Sequence, residues 1–164
     1  MSESGQAPDY TGLVAGVRAW RLANTMWAKM GGWLWSLTMT DCWRKGEEWK
    51  EAECRYGHRI PGDDCVCGVW AFLDVETMVR EFGPVFTSSL TNEHYEHVSG
   101  IIGAAGDIVE HEKGFRAQYA KVLAIFEDAH TTPKLEIAES YRCPIVSPDD
   151  YDAFCEERRL IRLG

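Results

Sequence analysis

The chain has 164 residues, 45% hydrophobic and 26% charged, which is enough to bury a core and too apolar for wholesale disorder. A net charge of −9 sets it against the phosphate backbone of nucleic acids. No apolar run approaches the ~20 residues of a membrane-spanning helix.

Residues 1–10 are polar and acidic, without the basic and apolar segments of a secretory signal. They predict a disordered tail ahead of one domain over residues 11–164, in a cytoplasmic setting. Thiols stay reduced there, so the six cysteines need an explanation other than a disulfide framework. Val14 to Leu22 reads as a strand, rich in β-branched and aromatic residues. Met26 to Met30, followed by Gly31-Gly32, reads as a turn, and WLWSLTM at 33–39 as the second strand of a hairpin. Glu47 to Cys54 holds good helix formers and predicts a short helix. Cys67 to Leu73 is a short apolar run expected to be a strand. Asp74 is placed to cap a helix over Val75 to Phe82, which Gly83-Pro84 ends. Residues 85–97 give no single reading.

Val98 to Glu110 is β-branched and punctuated by glycine, as in a strand with bends or bulges. Phe115 to Tyr119 alternates like a strand, but AKVLAIFEDA also suits a helix from Ala117 to Asp128. Pro133 opens a helix over Lys134 to Tyr141. Pro144 to Pro148 is a loop or short strand, and Asp149 to Arg159 a helix led by acidic and closed by basic residues. The elements add up to an α+β fold: one small bent β-sheet or partial barrel with flanking helices. All seven tryptophans lie between Trp20 and Trp70. Trp20, Trp35, Trp49 and Trp70 are read as core, with a protein-binding patch as the other use of such residues.

The segment from Cys54 to Gly68, CRYGHRIPGDDCVCG, carries the strongest chemical signal. Cys54, His58, Cys65 and Cys67 make up the ligand set of a tetrahedral zinc site, and iron suits the same donors. Cys54 and His58 are four apart, so the end of a helix would present both on one face. Cys65 and Cys67 share a turn between Gly62 and Gly68, where backbone N–H groups can face thiolate sulfur. Asp63 and Asp64 would add negative charge, which Arg55 or Arg59 would balance. Cys42 is a substitute ligand. Four protein ligands would make one structural zinc per chain; three would leave room for a water and hydrolytic chemistry.

A second constellation lies in GDIVEHEKGFRAQYA, residues 106–120. Glu110, His111 and Arg116 offer acid, base and guanidinium as a weak binding site. Adjacent strand residues point to opposite faces, however. A charged hairpin turn at Lys113-Gly114, with Arg116 paired to a carboxylate across it, accounts for them better.

Four segments, GVRAWRL, LWSLTMTDCWRKGEEWKEAEC, HRIPGDDCVCGVWAF and GIIGAAGDIVEHEKGFRAQYA, together resemble an uncharacterised family of small proteins from actinobacteria and their phages. The resemblance spans roughly residues 13–145. It implies that Cys54, His58, Cys65 and Cys67 belong together, and likewise Glu110, His111, Gly114 and Arg116. Ala104-Ala105 depart from the family's bulkier residue, which sets any shared pocket shape apart. A phage origin would imply a small protein acting on a host component.

The sequence holds neither a phosphate-binding loop nor G-x-G-x-x-G, and lacks the H-x-E with P-C-x-x-C of zinc deaminases. It reads as a noncatalytic protein-interaction or regulatory module with a structural zinc, rather than as an enzyme. A zinc-dependent hydrolase with an open coordination position is the alternative. Arg44, Lys45, Lys50, Arg55 and Arg59 cluster in sequence, but interspersed glutamates cancel them, so a protein partner is expected in place of nucleic acid or membrane.

Overall fold

The computed structural model describes residues 12–22, 34–36, 42–54, 56–62, 65–81, 97–127 and 134–164. The expected tail at 1–10, the turn at Met26 to Met30, and Phe82 lie outside them. Eight strands form one sheet: β1 (Val14–Leu22), β2 (Leu34–Trp35), β3 (Cys42–Trp43), β4 (Lys50–Glu51), β5 (Val69–Phe72), β6 (His97–Glu110), β7 (Gly114–Phe126) and β8 (Ile145–Val146). Three helices accompany them among the described residues: α1 over 75–81, α2 (Lys134–Ser140) and α3 (Tyr151–Glu157).

The two long strands organise the sheet. β6 and β7 form an antiparallel hairpin, with irregularities between Ile101 and Ile102 and between Ala105 and Ile108, where bends were expected. β1 lies antiparallel on the other edge of β6, from Val14 opposite Ala104 to Arg21 opposite His97. β5 pairs with β7 and touches β1 at Val17 opposite Phe72. The pairings therefore run β1, β6, β7, β5 and back to β1, a partial ring of strands joined by one short contact and not a barrel, so of the two expected forms the bent sheet is the one found. β2 continues the sheet outward from β1 as the expected hairpin partner. β8 is parallel to β7, so the sheet is mixed.

Both faces are covered. Trp20, Leu34, Trp43, Val69, Ile102, Phe115, Ile125 and Ile137 form one cluster. Val17, Met78, Ile101, Leu123, Phe126, Tyr151 and Phe154 form the other, which takes in α3. Alternation along β1 shows the division, with Val14, Trp20 and Leu22 on one side and Ala15, Val17 and Ala19 on the other. Trp20 is core, as expected, and packs edge-on against Trp43 with ring centroids 5.4 Å apart. Trp35 and Trp49 are only half-buried, and Trp70 is exposed.

Two stretches that suited a helix are strands, and for the first of them strand was one of the two expected readings. Ala117 to Phe126 belongs to β7, because a strand packed on both faces carries a nearly continuous apolar sequence that also satisfies a helical period. Glu47 to Cys54 is not helical either. Lys50 pairs with Ala120 and Glu51 with Tyr119, and the Ala52 N–H donates to the Gln118 carbonyl at 2.9 Å. β5 covers β7 only from Gly114 to Ala117, so residues 118–120 would otherwise leave main-chain groups unmatched. Satisfying them outweighs a weak helical preference. The other short elements stand as expected, including the Asp74 cap, whose Oδ1 accepts from the Thr77 N–H at 2.7 Å.

Gly114 permits the approach of β5 and β7. A Cβ there would lie 1.9 Å from the Ala71 carbonyl oxygen.

Candidate metal centre

β4 and β5 lie one after the other along the same edge of β7. The first reaches residues 118–120 and the second residues 114–117. The chain between them leaves that edge and returns to it. The residue just after its departure, Cys54, is thereby brought back against the residues just before its return, Cys65 and Cys67. Their three sulfur atoms all lie within 4.8 Å of one another, and all three side chains are half-buried.

The departing arm folds as a turn, with the Gly57 N–H donating to the Cys54 carbonyl at 3.0 Å. Partial burial pushes the Cys54 thiol up. Backbone N–H groups of Tyr56 and His58, and the thiols of Cys67 and Cys65, all hydrogen-bond its sulfur and outweigh that effect, bringing it down to about 7. Cys67 moves the other way, to about 11, chiefly because its thiol hydrogen is shared with Cys54, with burial adding to it. One sulfur is thus prepared to carry negative charge and its neighbours to donate to it.

The returning arm is held by Arg116. This residue is 5% exposed and stands opposite Trp70 in the β5–β7 register. One terminal nitrogen, Nη1, donates to the carbonyls of Cys65 (2.5 Å) and Cys67 (3.1 Å), and Nη2 to that of Gly62 (3.2 Å). Its Nε donates to His111 Nε2 at 2.9 Å. The His111 ring stacks on Trp70 at 5.0 Å, and the Trp70 indole donates to the Val66 carbonyl at 2.9 Å. Gly68 allows this close packing, since a Cβ there would meet the Arg116 Cβ at 2.9 Å. Arg116 therefore fixes the backbone of the returning arm, from Gly62 to Cys67, against β7.

No family model, curated protein or solved structure matches the chain. The chemistry of the donors has to speak for the site.

Three sulfurs at this separation suit a thiophilic ion such as zinc. Of the four ligands expected from the sequence, the structure brings together Cys54, Cys65 and Cys67. His58 stands outside the group, exposed, with its ring 6.0 Å from that of Tyr56. The expected helix end presenting Cys54 and His58 is absent: this stretch is a turn, and what His58 offers Cys54 is its backbone N–H. Cys42 lies in β3, outside the group. Arg59 does not balance the thiols but pairs with Asp107 at 2.8 Å. Arg55, Asp63 and Asp64 lie outside the described residues.

The second constellation is part of the same unit. Glu110 ends β6 and is exposed, as is His111. The partner of Arg116 across the hairpin is His111 rather than the expected carboxylate, because the guanidinium is aimed into the cysteine loop. That link escaped the sequence reading. The available signal was an arginine flanked by the apolar Phe115 and Ala117 in β7, a position that, once buried, demands acceptors.

Proposed function

We propose that this protein is a noncatalytic interaction or regulatory module whose β4–β5 loop is stapled by one zinc ion. Cys54, Cys65 and Cys67 would hold the metal, with His58 as the fourth ligand after rotation of its side chain. The observation that carries this reading is the approach of the three sulfurs to within 4.8 Å of one another. When bound, zinc supplies a cross-link between the two arms of the loop and takes up the charge of the thiolates. Support for an interaction surface comes from the same loop, which exposes Tyr56 (74%) and Val66 (76%), and from β5 next to it, which exposes Trp70 (44%). Aromatic residues of this kind anchor protein interfaces. The acidic chain favours a protein partner over nucleic acid. No helix of the described residues is long and apolar enough to cross a membrane.

One observation favours a second reading. The group contains three thiols and not His58. A zinc held by three residues keeps a position for water and can generate a hydroxide nucleophile, which is the hydrolytic alternative.

Elemental mass spectrometry of the purified chain, with titration of the metal-free form by zinc and by cobalt(II), tests both. The expected result is one equivalent bound, lost in Cys54→Ser, with a cobalt spectrum that changes in His58→Ala. Absence of binding overturns both readings. A cobalt spectrum unmoved by His58→Ala but shifted by added azide identifies the open site.

A further inference from the structure

We propose that the three-thiol group is also an oxidation site for peroxides, at which Cys54 and Cys67 close a disulfide while Cys65 remains a thiol. The disulfide itself needs no metal; only the accompanying release of metal rests on the zinc reading.

Three observations carry this. The sulfurs lie within 4.8 Å of one another, so a movement of ~2–3 Å brings two of them to bonding distance. The group is open to small solutes, since all three side chains are half-exposed and Val66 and Tyr56 beside them are 76% and 74% exposed. The sulfur of Cys54 receives backbone N–H groups of Tyr56 and His58 together with the thiols of Cys67 and Cys65. These contacts hold the Cys54 sulfur against the opposite arm of the loop. Cys155, by contrast, is 1% exposed in one core cluster, and Cys143 is partly buried against the other.

The choice of Cys67 follows from the arms of the loop. Cys54 and Cys67 face each other from opposite arms and share a hydrogen bond. Cys65 and Cys67 are separated by one residue on the same arm, and a bond between them would close a small strained ring. In the first step the Cys54 sulfur attacks a peroxide oxygen. The S–O bond forms, the O–O bond breaks, and the departing oxygen leaves as an alcohol, or as water from hydrogen peroxide. In the second step the Cys67 sulfur attacks the Cys54 sulfenic acid. The S–S bond forms, the S–O bond breaks, and hydroxide leaves with the Cys67 proton as water. Two thiols are oxidised and one peroxide is reduced.

A bound metal loses two of its thiolates in this exchange and is released. The loop keeps its anchorage, because Arg116 holds carbonyl groups and not sulfur. Oxidation therefore alters the exposed loop surface without requiring the sheet to open.

The test treats the full chain, zinc-loaded and metal-free in parallel, with stoichiometric hydrogen peroxide. Remaining thiols are alkylated and the unreduced digest is mapped by mass spectrometry. The expected result is loss of two of the six thiols, a Cys54–Cys67 linked peptide in both samples, and reversal by dithiothreitol. The zinc-loaded sample releases one zinc per disulfide, read with a chromophoric chelator. Cys65→Ser keeps the disulfide, whereas Cys67→Ser leaves Cys54 as a sulfenic acid that dimedone traps. A Cys65–Cys67 link, sulfinic acid at Cys54 without a cross-link, or prior oxidation of Cys143 or Cys155 overturns the proposal. Zinc that stays bound through peroxide treatment overturns it too while leaving the metal reading intact. A disulfide in a chain that binds no zinc supports the proposal and refutes the metal reading.

Discussion

Replacing Arg116 by methionine keeps much of its buried stem and removes the guanidinium. The carbonyls of Gly62, Cys65 and Cys67 then lose donors now at 3.2, 2.5 and 3.1 Å, and His111 loses one at 2.9 Å. Hydrogen bonds involving a charged group contribute about 1.5–3 kcal/mol each. The loop is half-exposed, so water recovers part of the loss at the carbonyls. Allowing for that recovery leaves ~3–5 kcal/mol, comparable with breaking a buried charged contact. Since a whole domain is stable by only ~5–15 kcal/mol, Arg116→Met should unfold at a much lower urea concentration. Arg116→Lys keeps a point charge but not the fork that reaches several carbonyls at once, so it should cost about 1–3 kcal/mol. The assay is urea denaturation of the metal-free chain followed by tryptophan fluorescence, which removes any masking by metal. An Arg116→Met midpoint within ~1 kcal/mol of wild type would refute the clamp.

Gly114→Ala should destabilise by about 3 kcal/mol or more, because the added carbon would lie 1.9 Å from the Ala71 carbonyl oxygen and β5 would have to move. Thermal unfolding checks this, and an unchanged midpoint contradicts the close approach. In the metal-free chain, iodoacetamide should modify Cys54, held at about 7, near neutral pH, while Cys143, pushed by burial to about 11, resists until alkaline pH. Folding lowers Cys54 from 9.0, so its contribution to stability is complete above pH 9 and fades as pH falls through 7. Cys67, raised from 9.0 to about 11, contributes below pH 9 and loses that contribution as pH rises through 11. Peptide mapping across pH that found Cys54 and Cys143 reacting together would contradict these environments.

The strands legible in sequence were those with one clear signal. β1 has branched and aromatic residues around Gly16, and β6 has Gly106 where one of its register shifts falls. What misled was local preference standing against distant pairing. Glu47 to Cys54 has the composition of a helix, and nothing nearby in sequence shows that it is the pairing partner of Gln118 to Ala120. The cysteine group was legible as chemistry, since Cys54, Cys65 and Cys67 fall in one short segment. Its geometry was not, because the approach of the arms depends on β4 and β5 both lying along β7. The expected helix also gave His58 a place beside Cys54 that the turn does not give it.

The arginine changes what a metal at this site would do. In small zinc domains the ion supplies most of the folding free energy, because little core exists without it. Here the core includes Trp20, Phe115, Ile102 and Phe126, all at most 1% exposed and distant in sequence from the cysteine segment. The returning arm of the loop is already fixed to β7 through Arg116. The departing arm is fixed up to Ala52 by its hydrogen bond to Gln118. A metal would therefore fasten only the stretch between these anchors, which carries the exposed Tyr56. Metal occupancy and thiol oxidation would then act on the presented surface, with the sheet as an unchanging support. This separation would let one loop respond to metal or peroxide without risking the fold, and it would follow from a guanidinium that binds the backbone of the loop and not its sulfurs.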